Sequence, residues 1–88
     1  MLFMVIERFR GGSPDAVGDR FKRLGRMLPE GVTCHASWME SGGERCFQIM
    51  ETSSPAALRS WLARWEDLVN FEIVPVVTSA EFWSESKA

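Results

Sequence analysis

The sequence predicts an α+β fold, a four-stranded antiparallel sheet with two helices on one face. Three observations carry this expectation. Segments of strand and helix chemistry alternate in the order β-α-β-β-α-β. The same helix start, serine followed by proline, occurs at Ser13-Pro14 and again at Ser54-Pro55, about 41 residues on, the spacing of two matched halves. The two middle strands are joined by Glu40-Ser41-Gly42-Gly43, a turn signal between apolar-rich runs.

The first strand is expected over Leu2–Arg10. Leu2, Met4, Ile6 and Arg8 alternate with Phe3, Val5, Glu7 and Phe9, so both faces are apolar over most of the length. A strand covered on one side only should alternate apolar with polar; this one requires cover on both. Gly11-Gly12 ends it. Ser13 then reads as a helix N-cap, with Pro14 in the first position and Asp15 in the first turn. The first helix is expected to reach Leu28, its apolar stripe being Val17, Phe21, Leu24 and Leu28. Gly18 and Gly25 cost helix propensity, which close packing on the sheet would explain.

The second strand is expected over Val32–Met39 and the third over Arg45–Thr52. With Met39 opposite Glu44, Ser37 faces Cys46 and His35 faces Gln48. Cys34 with Ile49, and Ala36 with Phe47, then share one face. A one-residue slip would mix apolar with polar on both faces. On this register Cys34 and Cys46 point to opposite sides and cannot be bridged. The second helix starts at Ser54-Pro55, with Leu58, Trp61, Leu62, Trp65 and Leu68 as its buried stripe. The fourth strand, Asn70–Val77, contains Pro75, which cannot donate to a ladder and so marks an edge strand. Thr78-Ser79-Ala80-Glu81 has the capping-box pattern, and Phe82-Trp83 suit a short docked helix over about residues 79–86, followed by a loosely held end.

The chain reads as one domain over residues 1–88. A domain of this size buries only roughly 60–65% of its unfolded surface and gains much from a partner. The net charge of −2 lacks the basic footprint of nucleic-acid binding. No apolar run approaches the roughly eighteen residues of a membrane span. The apolar start is followed at once by Glu7 and Arg8 and lacks a cleavage site, so it reads as a strand and not a leader. Two cysteines then suggest free thiols in a reducing, cytoplasmic setting.

The element order is the ferredoxin-like split-βαβ plan. Right-handed crossovers put the first and third strands at the centre and both helices on one face. The other face is expected to be bare and to carry Thr33, His35, Ser37, Met39, Cys46, Gln48 and Met50. Trp38 and Phe47 are expected to point toward the helices. A bare face with this much apolar surface invites a partner, most simply a second copy of the chain.

The run from Trp38 to Val77 resembles an uncharacterised family of small dimeric α+β-barrel domains. The matching features are Trp38 at the end of the second strand, Gly42-Gly43 in the turn, Glu51 at the end of the third strand, Trp65 in the second helix, and Phe71-Glu72-Ile73-Val74-Pro75-Val76. The resemblance implies the fold and a homodimer. It brings no established activity. The wider superfamily includes small oxygenases, lactone isomerases and haem-degrading enzymes, which implies a cleft for a small apolar or aromatic ligand.

His35, the only histidine, is the candidate base or hydrogen-bonding anchor. The expected ligand-binding set is His35, Ser37, Gln48 and Met50 on the bare face, with Arg8 at a strand end. The bland reading makes His35 an interface residue, and Arg8, Glu7 and Glu51 a polar rim. One histidine and two cysteines on opposite faces make no tetrahedral metal site, and no cofactor motif is present. A copper chaperone would need C-x-x-C, and RNA recognition would need several stacking aromatics on the third strand, where only Phe47 stands. The expected function is therefore a homodimeric small-molecule-binding domain with an apolar cleft on the open face, if catalytic a cofactor-free oxygenase or isomerase. The alternative is a non-catalytic module whose open face serves only dimerisation.

Overall fold

The computed structural model describes residues 1–86. The elements are β1 (Leu2–Phe9), α1 (Asp15–Leu24), β2 (Thr33–Met39), β3 (Arg45–Glu51), α2 (Pro55–Ala63), β4 (Val69–Val76) and α3 (Ser79–Ser86). The strands form one antiparallel sheet in the order β2-β3-β1-β4. This is the ferredoxin-like arrangement, with β1 and β3 central. Pro75 lies in β4, an edge strand, where its missing N–H leaves no ladder bond unmade on the outer side.

The helix starts follow local chemistry. The Ser54 hydroxyl accepts from the Ala57 N–H at 3.1 Å, with Pro55 next in the chain. The Ser13 hydroxyl accepts from the Asp15 N–H at 3.2 Å, although the first full helical residue is Asp15. The Thr78 hydroxyl accepts from the Glu81 N–H at 3.1 Å and donates to the Glu81 carboxylate at 2.9 Å, closing the box that starts α3. Phe82 and Trp83 pack edge to face at 5.2 Å but stay exposed, at 55% and 63%, and do not sink into the core as expected. The expectation of a loose end falls on residues 87 and 88, outside the described residues.

α1 stops at Leu24, short of Leu28, because Gly25 takes a positive φ of 70° and its N–H turns back to the Phe21 carbonyl at 2.8 Å. The close packing expected at Gly18 is absent: nothing lies within 4 Å of where its Cβ would be. α1 buries none of its residues. It is held instead by Arg20, which forms a two-pronged pair with Asp67 at 2.7 and 2.8 Å, donates to the Arg64 carbonyl at 3.0 Å, and lies over Trp65.

The core lies between the sheet and α2. Phe3, Val5, Phe9, Met50, Leu58, Trp61, Trp65 and Val69 are buried there. The helix-covered face of the sheet is thus the one carrying Phe3, Val5, Glu7 and Phe9 from β1 and Cys46, Gln48 and Met50 from β3. This reverses the expected facing of β2 and β3. Cys46, Gln48 and Met50 lie under the helices, whereas Phe47, Ile49 and Trp38 lie on the open face, Trp38 58% exposed. Two-sided apolarity in β1 leaves the choice to β3. There the polar residues go inward because hydrogen-bonding partners wait for them beneath the helices.

The β2–β3 register also differs. Met39 pairs with Cys46 and Ser37 with Gln48, two residues along from the expected match. The turn still spans four residues but moves one position along, to residues 41–44, because Glu40 and Arg45 pair: the Glu40 N–H donates to the Arg45 carbonyl at 2.8 Å, and the Arg45 guanidinium grips the Glu40 carboxylate at 2.9 and 3.1 Å. A shift by two keeps Ser37 and Met39 on the same side as Cys46 and Gln48. Between Cys34 and Ala36 the ladder is interrupted, with His35 as the extra residue. Cys34 therefore pairs with Met50 and joins Cys46 on the helix-covered side, not the opposite one. Both cysteines are free.

Candidate functional site

α2 and α1 meet different parts of the sheet. Beneath α2 the sheet is apolar. Beneath α1 it presents Glu7, Ser37, Cys46 and Gln48, a floor that cannot be dried without hydrogen bonds. α1 answers with Val17, Gly18, Phe21 and Lys22, none of them buried, and nothing lies within 4 Å of where a Gly18 Cβ would be. The result is a cleft of about 630 Å³ between α1 and the sheet, walled by Phe9, Met39, Trp61 and Trp65. Its size is that of a small-molecule site.

Glu7 lies in the floor, only 6% exposed. Gln48 Nε2 donates to Glu7 Oε2, and Arg26 Nε donates to Gln48 Oε1 at 3.0 Å. Arginine has donors only, so Gln48 must turn its oxygen to Arg26 and its NH2 to Glu7. That leaves Glu7 Oε1 as the free oxygen. Among the described residues no buried side-chain nitrogen or oxygen lacks a partner, so this oxygen reaches the cleft. Burial pushes the Glu7 carboxyl up to about 7, against the opposing pull of the Gln48 hydrogen bond and the Arg26 charge. A carboxyl that exchanges its proton near neutrality, with one oxygen facing a cleft, can act as either acid or base.

Arg26 is itself fixed from behind. Two indoles, Trp61 of α2 and Trp65 just beyond it, donate to its backbone carbonyl, at 3.0 and 3.1 Å. Its guanidinium lies over the Phe21 ring at 5.2 Å. Cys46 is buried beside Ser37, at 3.6 Å, and burial raises its thiol. It is therefore a poor nucleophile.

The expected site residues divide between the two faces. Gln48, Ser37 and Met50 are on the helix-covered side, where Gln48 and Ser37 line the cleft and Met50 is core. His35 and Arg8 are on the open side. His35 Nε2 lies 2.6 Å from Glu51 Oε1, and Arg8 pairs with Glu72 at 3.0 Å. The grouping of all five on the bare face does not occur. Glu7, expected at a polar rim, is the buried centre. The available signal was the same-face run Phe3, Val5, Glu7, Phe9, in which one carboxylate interrupts an apolar series. Among the described residues no three His, Cys, Asp or Glu side chains gather as a metal ion would need.

A family model, described as a domain of unknown function (DUF3303), matches residues 1–87. The chain belongs to that family. No curated protein and no solved structure matches it. DUF3303 membership agrees with the uncharacterised family that the run from Trp38 to Val77 resembles, and it assigns no activity. Among the described residues no helix is long and apolar enough to cross a membrane.

Proposed function

We propose that this protein is a homodimeric small-molecule-binding domain whose ligand enters the cleft beneath α1, with Glu7 as its acid–base group. The observation that carries the reading is the buried Glu7 carboxyl, with one oxygen held by Gln48 and the other open to the cleft. A group of this kind suits proton abstraction and return on an apolar substrate, the chemistry of an isomerase. The same deprotonation would serve a cofactor-free oxygenase by making the substrate electron-rich. The test is a carbon-detected NMR titration of Glu7. The expected midpoint lies near 7, and a midpoint in the ordinary carboxylate range, below about 5, would remove Glu7 from the role.

The dimer would form through the open face. Leu2, Met4, Ile6, Phe47, Ile49, Trp38 and Val74 make a continuous apolar strip there across all four strands. The arginines beside it are already engaged, Arg8 with Glu72 and Arg45 with Glu40. A nucleic acid would have to displace both carboxylates, so a second protein copy fits this face better. Ile49→Glu, in the middle of the strip, is expected to convert a dimer to monomers in sedimentation experiments while the circular dichroism stays unchanged. The second reading, a module whose open face serves dimerisation alone, rests on the same strip. It shares the Ile49→Glu outcome but predicts a cleft that takes no ligand.

A further inference from the structure

We propose that the ligand of this cleft is a planar, largely apolar carboxylate, held by Arg26 and Lys22 over the aromatic wall, and that it binds together with one proton taken up by Glu7. The inference rests on the cleft reading above and names the ligand class for that site.

Asp15, Asp19, Lys22 and Arg26 all line the cleft, and Arg26 is the cation that bonds Gln48 and acts on Glu7. Arg26 uses Nε on Gln48, which leaves the outer edge of the guanidinium to meet a carboxylate. Phe9, Phe21, Trp61 and Trp65 also line the cleft, Phe21 being the most exposed of the four. A carboxylate there would neutralise Arg26, the cation that favours ionised Glu7. It would also place a second negative charge near Glu7. Both effects favour protonated Glu7, so anion and proton bind together. Asp15, Asp19 and Lys22 on α1 and Cys46 on β3 also line the cleft, and Cys34 on β2 lies against Gln48, its Sγ 3.7 Å from Oε1. Trp61 of α2 and Trp65 just beyond it are the lining residues from that side, and neither is titratable.

The experiment uses naphthoate and its neutral isostere naphthamide as probes, by calorimetry on the full chain at about pH 6 and about pH 8. Naphthoate is expected to bind at least about tenfold more tightly than naphthamide, the size of one charge-assisted hydrogen bond. Its affinity is expected to fall about tenfold between the two pH values as the coupled proton becomes scarce. Glu7→Gln is expected to abolish that fall while keeping the binding, and Arg26→Gln to abolish the preference for naphthoate. Gly18→Leu, which puts a side chain into the cleft, is expected to block both probes. If naphthamide binds as well as naphthoate and Gly18→Leu blocks both, the cleft stands and the anionic ligand class is overturned. A naphthoate affinity that is flat or rising with pH overturns the coupling to Glu7. If neither probe binds, or both still bind to Gly18→Leu, the cleft reading fails and the inference fails with it.

Discussion

Glu7→Gln is expected to make the protein more stable than the parent above about pH 7 and to leave it unchanged below about pH 4.5. The sign follows from linkage. The Glu7 carboxyl is raised from 4.5 to about 7 by burial, so between these values the unfolded chain gives up its proton while the folded chain keeps it. The parent therefore loses stability as pH rises through this window, and the loss is complete above about 7. A shift of this size corresponds to a ceiling on the order of 3 kcal/mol, reduced by whatever water the cleft admits. Glutamine has no proton to lose and can still accept from the Gln48 amide, so the variant escapes the penalty. Urea denaturation at about pH 4 and about pH 8 measures it. Equal stability of the two proteins at the higher pH would mean that Glu7 is not held in a desolvating site. The stabilising direction matters for function as well. A buried carboxyl carried at a cost to stability is consistent with the acid–base role proposed for Glu7.

Different parts of this molecule were legible to different degrees, for physical reasons. Element order, the Ser54 and Thr78 caps, the edge position of β4 and the burial of Trp61 and Trp65 all follow from local chemistry: a hydroxyl before a helix, a proline in a ladder, a stripe at helical spacing. The facing of the sheet does not follow from such rules. Leu2, Met4 and Ile6 are as apolar as Phe3, Val5 and Phe9, so β1 permits either orientation. In β3, Phe47 and Ile49 look more like core than Cys46 and Gln48. The structure turns Gln48 inward because Arg26 and Glu7, distant in sequence, complete its hydrogen bonds there. A polar trio of this kind, buried at Glu7 and Gln48 and half-buried at Arg26, cannot be read from one strand at a time. Each member alone looks like a reason for exposure, and only together do they make burial affordable. The bulge at His35 has the same character. It carries the histidine to Glu51 on the open face and returns Cys34 to the covered one, and no residue in Thr33–Trp38 announces it.

Trp61→Ala is expected to remove a large part of the stability measured by urea denaturation. Trp61 is 1% exposed and lies in the core against Phe71, with ring centroids 5.9 Å apart. Truncating a buried tryptophan costs about 3–5 kcal/mol, much of what a small domain has. Part of that cost is specific to this fold, and gentler variants separate it. The Arg26 carbonyl accepts from both Trp61 and Trp65. Trp61→Phe or Trp65→Phe alone leaves it one donor, whereas the double variant leaves it none. The double variant is therefore expected to lose more than the two single losses together, by about 1 kcal/mol, the penalty of a buried acceptor without a partner. The same cycle has a second readout. With its backbone unanchored, Arg26 no longer holds Gln48 and no longer favours ionised Glu7, so the Glu7 titration midpoint rises in the double variant and barely moves in the singles. Additive stabilities together with a fixed midpoint would show that the two indoles serve packing alone. Coupled changes in both would make the tryptophan pair the support on which the orientation of Arg26, Gln48 and Glu7 depends.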